Sequence, residues 1–522
     1  MRDLQVTVYG GAAGDEETGE IGGNRILLET SERTWFLDFG LRFKPLGKFF
    51  SEFVQPRTGT LGLLDHLRLS LLPPIEGIYR DDLWAHAADI WDPYRDGPHH
   101  RHIDRVDGVL VSHAHLDHNG SLGFLRPEIP VYTGLTTAVT AKSMQDIRGS
   151  GPDNELCYIA PRRANDDGVL EGIRGEPRKQ RRHVVCEDVE LRDELQAFWC
   201  NVPGPRTSMD SCPLEPWGDV QDLRFWRVDH SIPGSGSFGI STPAGWVVYS
   251  GDVRRHGHSS HRVDRFIDEA RALNPALLIV EGTRVGEEMS IREPDVKDAV
   301  DAVVGTEEGL VIADFAPRNI ERLRTFHDVA KANNRRLVVT VQDAYLLEAL
   351  HMVDPDIPDP PSLESVTVLR ERQASVPHWA RGVYERNATD LVDADQVRAD
   401  PSGFICCLSY WDIQNLIDLE PAGGKYIYSS SEAYSEDQAI DQQRLLNWLR
   451  YFELEPVGGL PGAAEGPFHA SGHADGPALE ALIEELNPDT ILPVHTESID
   501  WFERRWPNKL LEGTALTTMP EA

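Results

Sequence analysis

The sequence is poor in lysine, in cysteine and in long apolar runs. Of 522 residues only 8 are lysine, against 43 arginines, and 51 basic side chains face 85 acidic ones for a formal charge of −34. A charge of that sign argues against a protein whose whole surface binds nucleic acid. Six cysteines (Cys157, Cys186, Cys200, Cys212, Cys406 and Cys407) are too sparse for a disulfide scaffold in a chain this long. No C-x-x-C pair suggests a zinc knuckle, and Cys406 and Cys407 sit in the apolar run FICCLSY, so reduced buried thiols are expected. No apolar stretch approaches the ~18 residues of a membrane span, and MRDLQVTVYGG lacks the basic-then-apolar start of a secretory signal. The expectation is a soluble, cytoplasmic protein without membrane contact. At 40% hydrophobic and 8% aromatic residues it has enough apolar material to fold.

What is present is an α/β alternation long enough for two or three domains. VTVYG, RILLET, TWFLDFG, GVLVSHAH, WVVYSGD and ALLIVEGT read as strands, several ending in Asp, His or Glu at a turn. Loops at strand ends are where active sites collect. From 286 to 455 the alternation becomes more regular: GLVIADFA, a helix over 319–332, RRLVVTV, a helix over 344–352, FICCLSY, KYIYSSS and the helical DQAIDQQRLLNWLRYF. This predicts a second α/β unit between an N-terminal part (1–285) and a C-terminal return (456–522). The stretch 148–222 is rich in charge, Pro and Gly and weakly periodic, and reads as an insertion or lid rather than core.

The chemistry starts at VSHAHLDHNG, which places His113, His115, Asp117 and His118 within six residues directly after an apolar strand. In a turn leaving a strand, His113 and His115 can point the same way while Asp117 and His118 wrap back. One loop can then serve two neighbouring metals, and imidazole with carboxylate suits zinc or a similar first-row ion.

H-x-H-x-D-H after a strand resembles the signature of the metallo-β-lactamase fold. Asp38 in FLDFG, His230 in RVDHSIP and Asp252 closing WVVYSGD match that fold's other motifs in the right order. Past the inserted α/β unit, Glu281 in LLIVEGT, His473 in ASGHA and His495 in PVHTE resemble motifs A, B and C of the β-CASP nucleases. HSIP, H-A-S-G-H and P-V-H-x-E are most similar to the ribonuclease J family. The resemblance covers nearly the whole chain except 41–107 and 148–222. It implies an αββα sandwich with an inserted α/β β-CASP domain, one metal on His113, His115 and His230, another on Asp117, His118 and His495, and Asp252 bridging them. Two divalent ions are implied, zinc first and manganese as the alternative. Such a pair activates water and clamps the attacking and leaving oxygens of a phosphodiester. His473 is then placed at the scissile phosphate, with Asp38 and Glu281 orienting imidazoles from behind. Two departures stand out: only 27 residues follow His495, so the family's separate C-terminal domain is expected to be absent, and threonine follows His495 where glycine is commoner.

Other candidates carry plainer alternatives. Ser471 in its Gly-rich turn, and Arg318 and Asn319 at a helix start, are placed to bind substrate phosphate, or serve as ordinary turn and cap residues. His469 borders the site or is a loop histidine, and His256, His258 and His261 read as a solvated basic turn. Single-stranded RNA is the expected substrate, cut from a 5′ end, internally or both. A DNA nuclease of the cross-link repair kind and a non-catalytic RNA-binding subunit are the alternatives, and a homo-oligomer stays open. The charge of −34 becomes compatible with RNA once two divalent ions outweigh Asp117 and Asp252 within the cleft.

Overall fold

The computed structural model describes residues 4–511 apart from 52, 85–89, 150, 205–207, 219–221, 356, 358, 361–364 and 432–435. Two mixed sheets pack face to face. The first runs Leu4–Gly10, Arg25–Thr30, Thr34–Leu37, Gly108–Leu110, Val131–Thr133, His183–Val185, Glu215–Pro216, antiparallel over three strands and parallel thereafter. The second runs Leu223–Arg227, Gly236–Thr242, Gly245–Tyr249, Leu277–Glu281, Thr490–Val494 with the same change of sense.

Period-two patterning sets the layers, because successive strand residues point to opposite faces. Ile26, Leu28, Ile240, Leu277 and Ile279 share the apolar layer between the sheets. Leu278 and Val280 turn outward against Phe266 and Leu482 of the helices Ser260–Arg271 and Gly476–Leu486. On the other side, Leu27 and Val109 pack with Leu135 and Val139 of the helix Leu135–Arg148. The result is the expected αββα sandwich.

Glu281 and Val494 are register partners, so the chain leaves the sandwich after one strand and re-enters beside it. Between them lies an all-parallel sheet in the order Leu391–Val392, Val366–Leu369, Arg336–Val339, Phe404–Cys407, Leu310–Asp314, Gly424–Tyr428, Leu454–Gly458. Its central strands are buried throughout and apolar but for the terminal Asp314, as a sheet covered on both faces requires. The helices fall where the periodicity puts them, at Ile320–Ala332, Val341–His351 and Glu436–Tyr451.

The segment 148–222 departs from its reading as an insertion outside the core. His183–Val185 and Glu215–Pro216 extend the first sheet, and Cys157, Leu195 and Trp199 are buried in the main cluster. Strands of two or three residues show no periodicity alone; their sheet neighbours supply it. Residues 150, 205–207 and 219–221 of this segment lie outside the described residues. All six cysteines are free thiols. Among the described residues no helix is long and apolar enough to cross a membrane.

Candidate metal centre

The parallel strands of both sheets end at one place, where the motif residues collect; His230 joins them from the loop after Leu223–Arg227 and His473 from the turn before Gly476–Leu486. Asp38 follows Thr34–Leu37, His113 follows Gly108–Leu110, Asp252 follows Gly245–Tyr249, Glu281 closes its strand and His495 follows Thr490–Val494. Asp38 and His495 adopt left-handed backbone (φ 55° and 54°), a conformation that costs a non-glycine residue free energy and concentrates at functional sites. Gly40 is required by close approach: a Cβ there would lie 1.7 Å from the Asp117 carbonyl oxygen.

Two groups of side chains converge. His115 Nδ1 lies 3.1 Å from His113 Nε2 and 3.2 Å from His230 Nε2. His495 Nε2 lies 3.3 Å from Asp117 Oδ2, and His118 Nε2 lies 3.7 Å from the same oxygen. Asp252 Oδ2 stands between the groups, 3.1 Å from His118 Nε2, 3.5 Å from His113 Nε2, 3.7 Å from His230 Nε2 and 3.9 Å from His495 Nε2. The structure thus brings together all seven residues predicted as ligands.

The donor set fits divalent metal. Four of the five imidazoles have their outward nitrogen committed elsewhere, which leaves the inward nitrogen as a lone-pair donor. His118 Nδ1 donates to Asp38 Oδ2 (2.7 Å) and His230 Nδ1 to the Gly472 carbonyl (2.5 Å). Ser112 Oγ donates to Asp38 Oδ2 (2.8 Å), so it accepts from His113 Nδ1 (3.0 Å). Thr283 Oγ1 donates to Glu281 Oε2 (2.7 Å), so it accepts from His495 Nδ1 (2.8 Å). His118 Nε2 and Asp252 Oδ1 are buried without a hydrogen-bond partner. Ligands of a tetrahedral zinc sit roughly 3.3–3.4 Å apart given Zn–N of ~2.0–2.1 Å, close to the spacings here.

Charge in the site follows burial and neighbours. Burial, with other imidazoles nearby, pushes His113 and His115 well down and His230 to about 4, so these rings stay neutral. At His118 burial is outweighed by Asp252, Asp38 and Asp117, which raise it well above its ordinary value. Burial also opposes ionisation of Asp252, yet the surrounding imidazoles hold it well below the usual carboxylate range.

His473 stands apart from the ligand groups by its own partner. Its Nδ1 donates to Glu281 Oε2 (2.8 Å) and lies 3.9 Å from Asp252 Oδ2. Burial lowers this histidine, but Glu281 and Asp252 prevail and lift it to about 9. Glu281 is buried, which excludes a surface ion pair at this position. Ser471 Oγ accepts from the His473 amide (3.2 Å). Arg318 reaches the Ala114 carbonyl from the second α/β unit, whereas the Asn319 side-chain oxygen is used as the cap of Ile320–Ala332. His469 Nδ1 donates to the Ser429 carbonyl and His256 Nε2 to that of Ser471, while His258 and His261 make no contact with the cluster.

Four contributors carried no signal in the sequence. Ser112, Tyr249 and Thr283 orient the carboxylates and imidazoles: Tyr249 OH donates to Asp38 Oδ2 (2.6 Å) and accepts from Asn24. Arg254 is wholly buried and joins four segments, binding Asp229 Oδ1 (3.0 Å), Glu293 Oε1 (3.1 Å), Glu321 Oε2 (2.7 Å) and the Ser471 carbonyl (3.0 Å). It thereby fixes the turn whose Gly472 carbonyl orients His230. A Cβ at Gly472 would stand 2.6 Å from His230 Cε1.

Fold and site together define a protein of the metallo-β-lactamase fold with an inserted β-CASP domain and a divalent-metal-binding centre. Within that class it is ribonuclease J-like. Residues 467–505 match the Zn-dependent metallo-hydrolase RNA specificity domain family. Similar curated proteins include Ribonuclease J 2 of Streptococcus pyogenes, 22% identical over 405 residues (76% of this chain, 60% of that protein). Ribonuclease J of Pyrococcus abyssi is 22% identical over 413 residues, 75% of each chain. Ribonuclease J of Corynebacterium glutamicum is 25% identical over 253 residues, 46% of this chain and 27% of that one. The chain thus spans less than two thirds of several of the relatives it matches. A crystal structure of a protein of unknown function from Enterococcus faecalis V583 shares the fold with a TM-score of 0.60 at 18% identity, over 96% of this chain and 95% of that one.

Proposed function

We propose that this protein is a metal-dependent ribonuclease that hydrolyses phosphodiester bonds of single-stranded RNA. The observation that carries the reading is Asp252 Oδ2 standing within 3.1–3.9 Å of imidazole nitrogens from both ligand groups, with the His473–Glu281 pair beside them. His113, His115 and His230 would hold one ion, Asp117, His118 and His495 the other, and Asp252 both; zinc is the first choice. Bound there, such a pair lowers the pKa of water and neutralises charge on the attacked phosphate.

The chain's own residues do the rest. Asp38 and the Ser112 and Thr283 hydroxyls fix the Nδ1 protons of His118, His113 and His495. Glu281 holds the Nδ1 proton of His473, leaving Nε2 to face the scissile phosphate and to stabilise its charge or protonate the leaving oxygen. Ser471, beside His473, and Arg318, against the ligand loop at Ala114, would seat flanking phosphates. RNA as substrate is supported by the match over 467–505 and by the ribonuclease J relatives, and a cytoplasmic location is proposed with it.

The test is cleavage of RNA and DNA of one sequence, each with a 5′ monophosphate, a 5′ triphosphate or a 5′ hydroxyl, in added zinc or manganese. RNA hydrolysis that His113→Ala abolishes supports the reading, and the 5′-end series separates exonuclease from endonuclease. Preferential hydrolysis of the DNA would assign the site to the DNA nuclease class instead.

A further inference from the structure

The segment 41–57 is unlike the rest of the chain. LRFKPLGKFFSEFVQPR carries Arg42, Lys44, Lys48 and Arg57 against the single acid Glu52, within a protein of net charge −34. It holds two of the eight lysines and four of the 17 phenylalanines. Its helix Phe43–Phe49 buries none of its residues. Phe43, Phe49 and Phe53 are 48%, 38% and 84% exposed and are all the exposed phenylalanines among the described residues. Val54, 57% exposed, extends the patch. Three exposed phenylalanines and a valine within twelve residues form a contiguous apolar patch of the kind that marks an interaction surface.

Its position points to that partner. The Leu41 amide donates to the Leu116 carbonyl (2.8 Å), inside the loop of His115 and Asp117. Arg42 pairs with Glu20 (2.9 Å), and Lys44 reaches Glu497 (2.7 Å), two residues past His495. Phe43 is therefore held between two anchored residues at the rim of the metal centre, and Phe49 and Phe53 lead away from it. Lys48 and Lys44, four apart, share one face of the helix. Arg42, Lys44 and Arg57 are paired with carboxylates, so Lys48 is the cation of this segment left without an ion pair among the described residues. Aromatic rings beside it suit unpaired bases on a phosphate backbone, because every base has a face to stack while the lysine meets a phosphate.

We infer that Phe43, Phe49, Phe53 and Val54, with Lys48, form a stacking platform for the single-stranded stretch of RNA adjoining the scissile bond. The inference rests on the ribonuclease reading and adds to it a substrate surface outside the metal centre. The test is steady-state cleavage of 5′-labelled oligouridylates of four and twenty nucleotides by the wild-type chain, Phe43→Ala/Phe53→Ala and Phe43→Trp/Phe53→Trp. Tyr451→Ala, 82% exposed on another helix, is the control. Size-exclusion chromatography of each variant accompanies the kinetics. The alanine pair is expected to raise KM for the twenty-mer roughly tenfold, in line with base-stacking contributions, and to affect the tetramer less. The tryptophan pair should restore KM, and Tyr451→Ala should leave it unchanged. Wild-type cleavage with an unchanged KM in the alanine pair overturns the platform alone. A wild-type chain that leaves RNA intact overturns the ribonuclease reading and the platform with it. An alanine pair whose only change is dissociation of an oligomer assigns the patch to a second copy and also overturns the inference.

Discussion

Replacing Arg254 by methionine should uncouple the sandwich from the inserted unit. The guanidinium is wholly buried and meets Asp229 and Glu293, both buried, and Glu321, which is partly exposed. Glu293 keeps a second cation in Arg322, 3.1 Å away, and Glu321 keeps some solvent. The orphaned charge is Asp229, whose Oδ2 has no hydrogen-bond partner even in the intact protein. Removing one partner of a buried pair costs about 3–5 kcal/mol, a large part of the ~5–15 kcal/mol that holds a folded protein together. Methionine fills similar volume, so the loss is electrostatic rather than a cavity. Urea unfolding followed by tryptophan fluorescence should show the destabilisation, and Asp229→Asn in the Arg254→Met background should recover at least about 1.5 kcal/mol, because the unpaired charge is gone. A cost under 1 kcal/mol, or no recovery in the double variant, would refute the assignment of Arg254 as the buried cation joining these segments.

Further outcomes follow from the same contacts. Asp38→Asn weakens its hold on His118 and should lower metal affinity roughly 10- to 100-fold, read by competition with a chromophoric chelator. Thr283→Val removes the hydroxyl between Glu281 and His495 and should cause a loss of similar size, confined to one of two titrated metal equivalents. Asp314 closes a strand of the inserted sheet and is buried, which pushes its carboxyl up to about 7 although the Tyr426 hydroxyl donates to it (2.6 Å). The folded state therefore favours the protonated form. That contribution is whole below the ordinary carboxylate value, falls by about 1.4 kcal/mol per pH unit between roughly pH 4 and 7, and is flat above. Asp314→Asn should flatten the stability profile in that window, as measured by denaturant titration at each pH.

The ligand loop was legible because four metal-binding residues within six positions have no cheaper explanation, and because GVLV and WVVYSGD mark their own strand ends. Asp38, Glu281, His473 and His495 were legible by their order along the chain. Ser112, Tyr249 and Thr283 were not, since a hydroxyl has no signature until its partner is known. Tyr249 and Asp38 are 211 positions apart, and Arg254 is one arginine among 43. The same limit explains 148–222: three-residue strands such as His183–Val185 belong to the core only through the neighbour they pair with. Asn319 was read as a phosphate ligand or a cap, and the helix uses its oxygen as the cap.

Metal content and cleavage measured on one preparation test the central claim most directly. The account predicts two equivalents of divalent metal per chain by mass spectrometry, hydrolysis of 5′-monophosphorylated single-stranded RNA, and loss of both activity and at least one equivalent in His113→Ala. A wild-type chain that binds less than one equivalent, or that binds two and leaves the RNA intact, would contradict it.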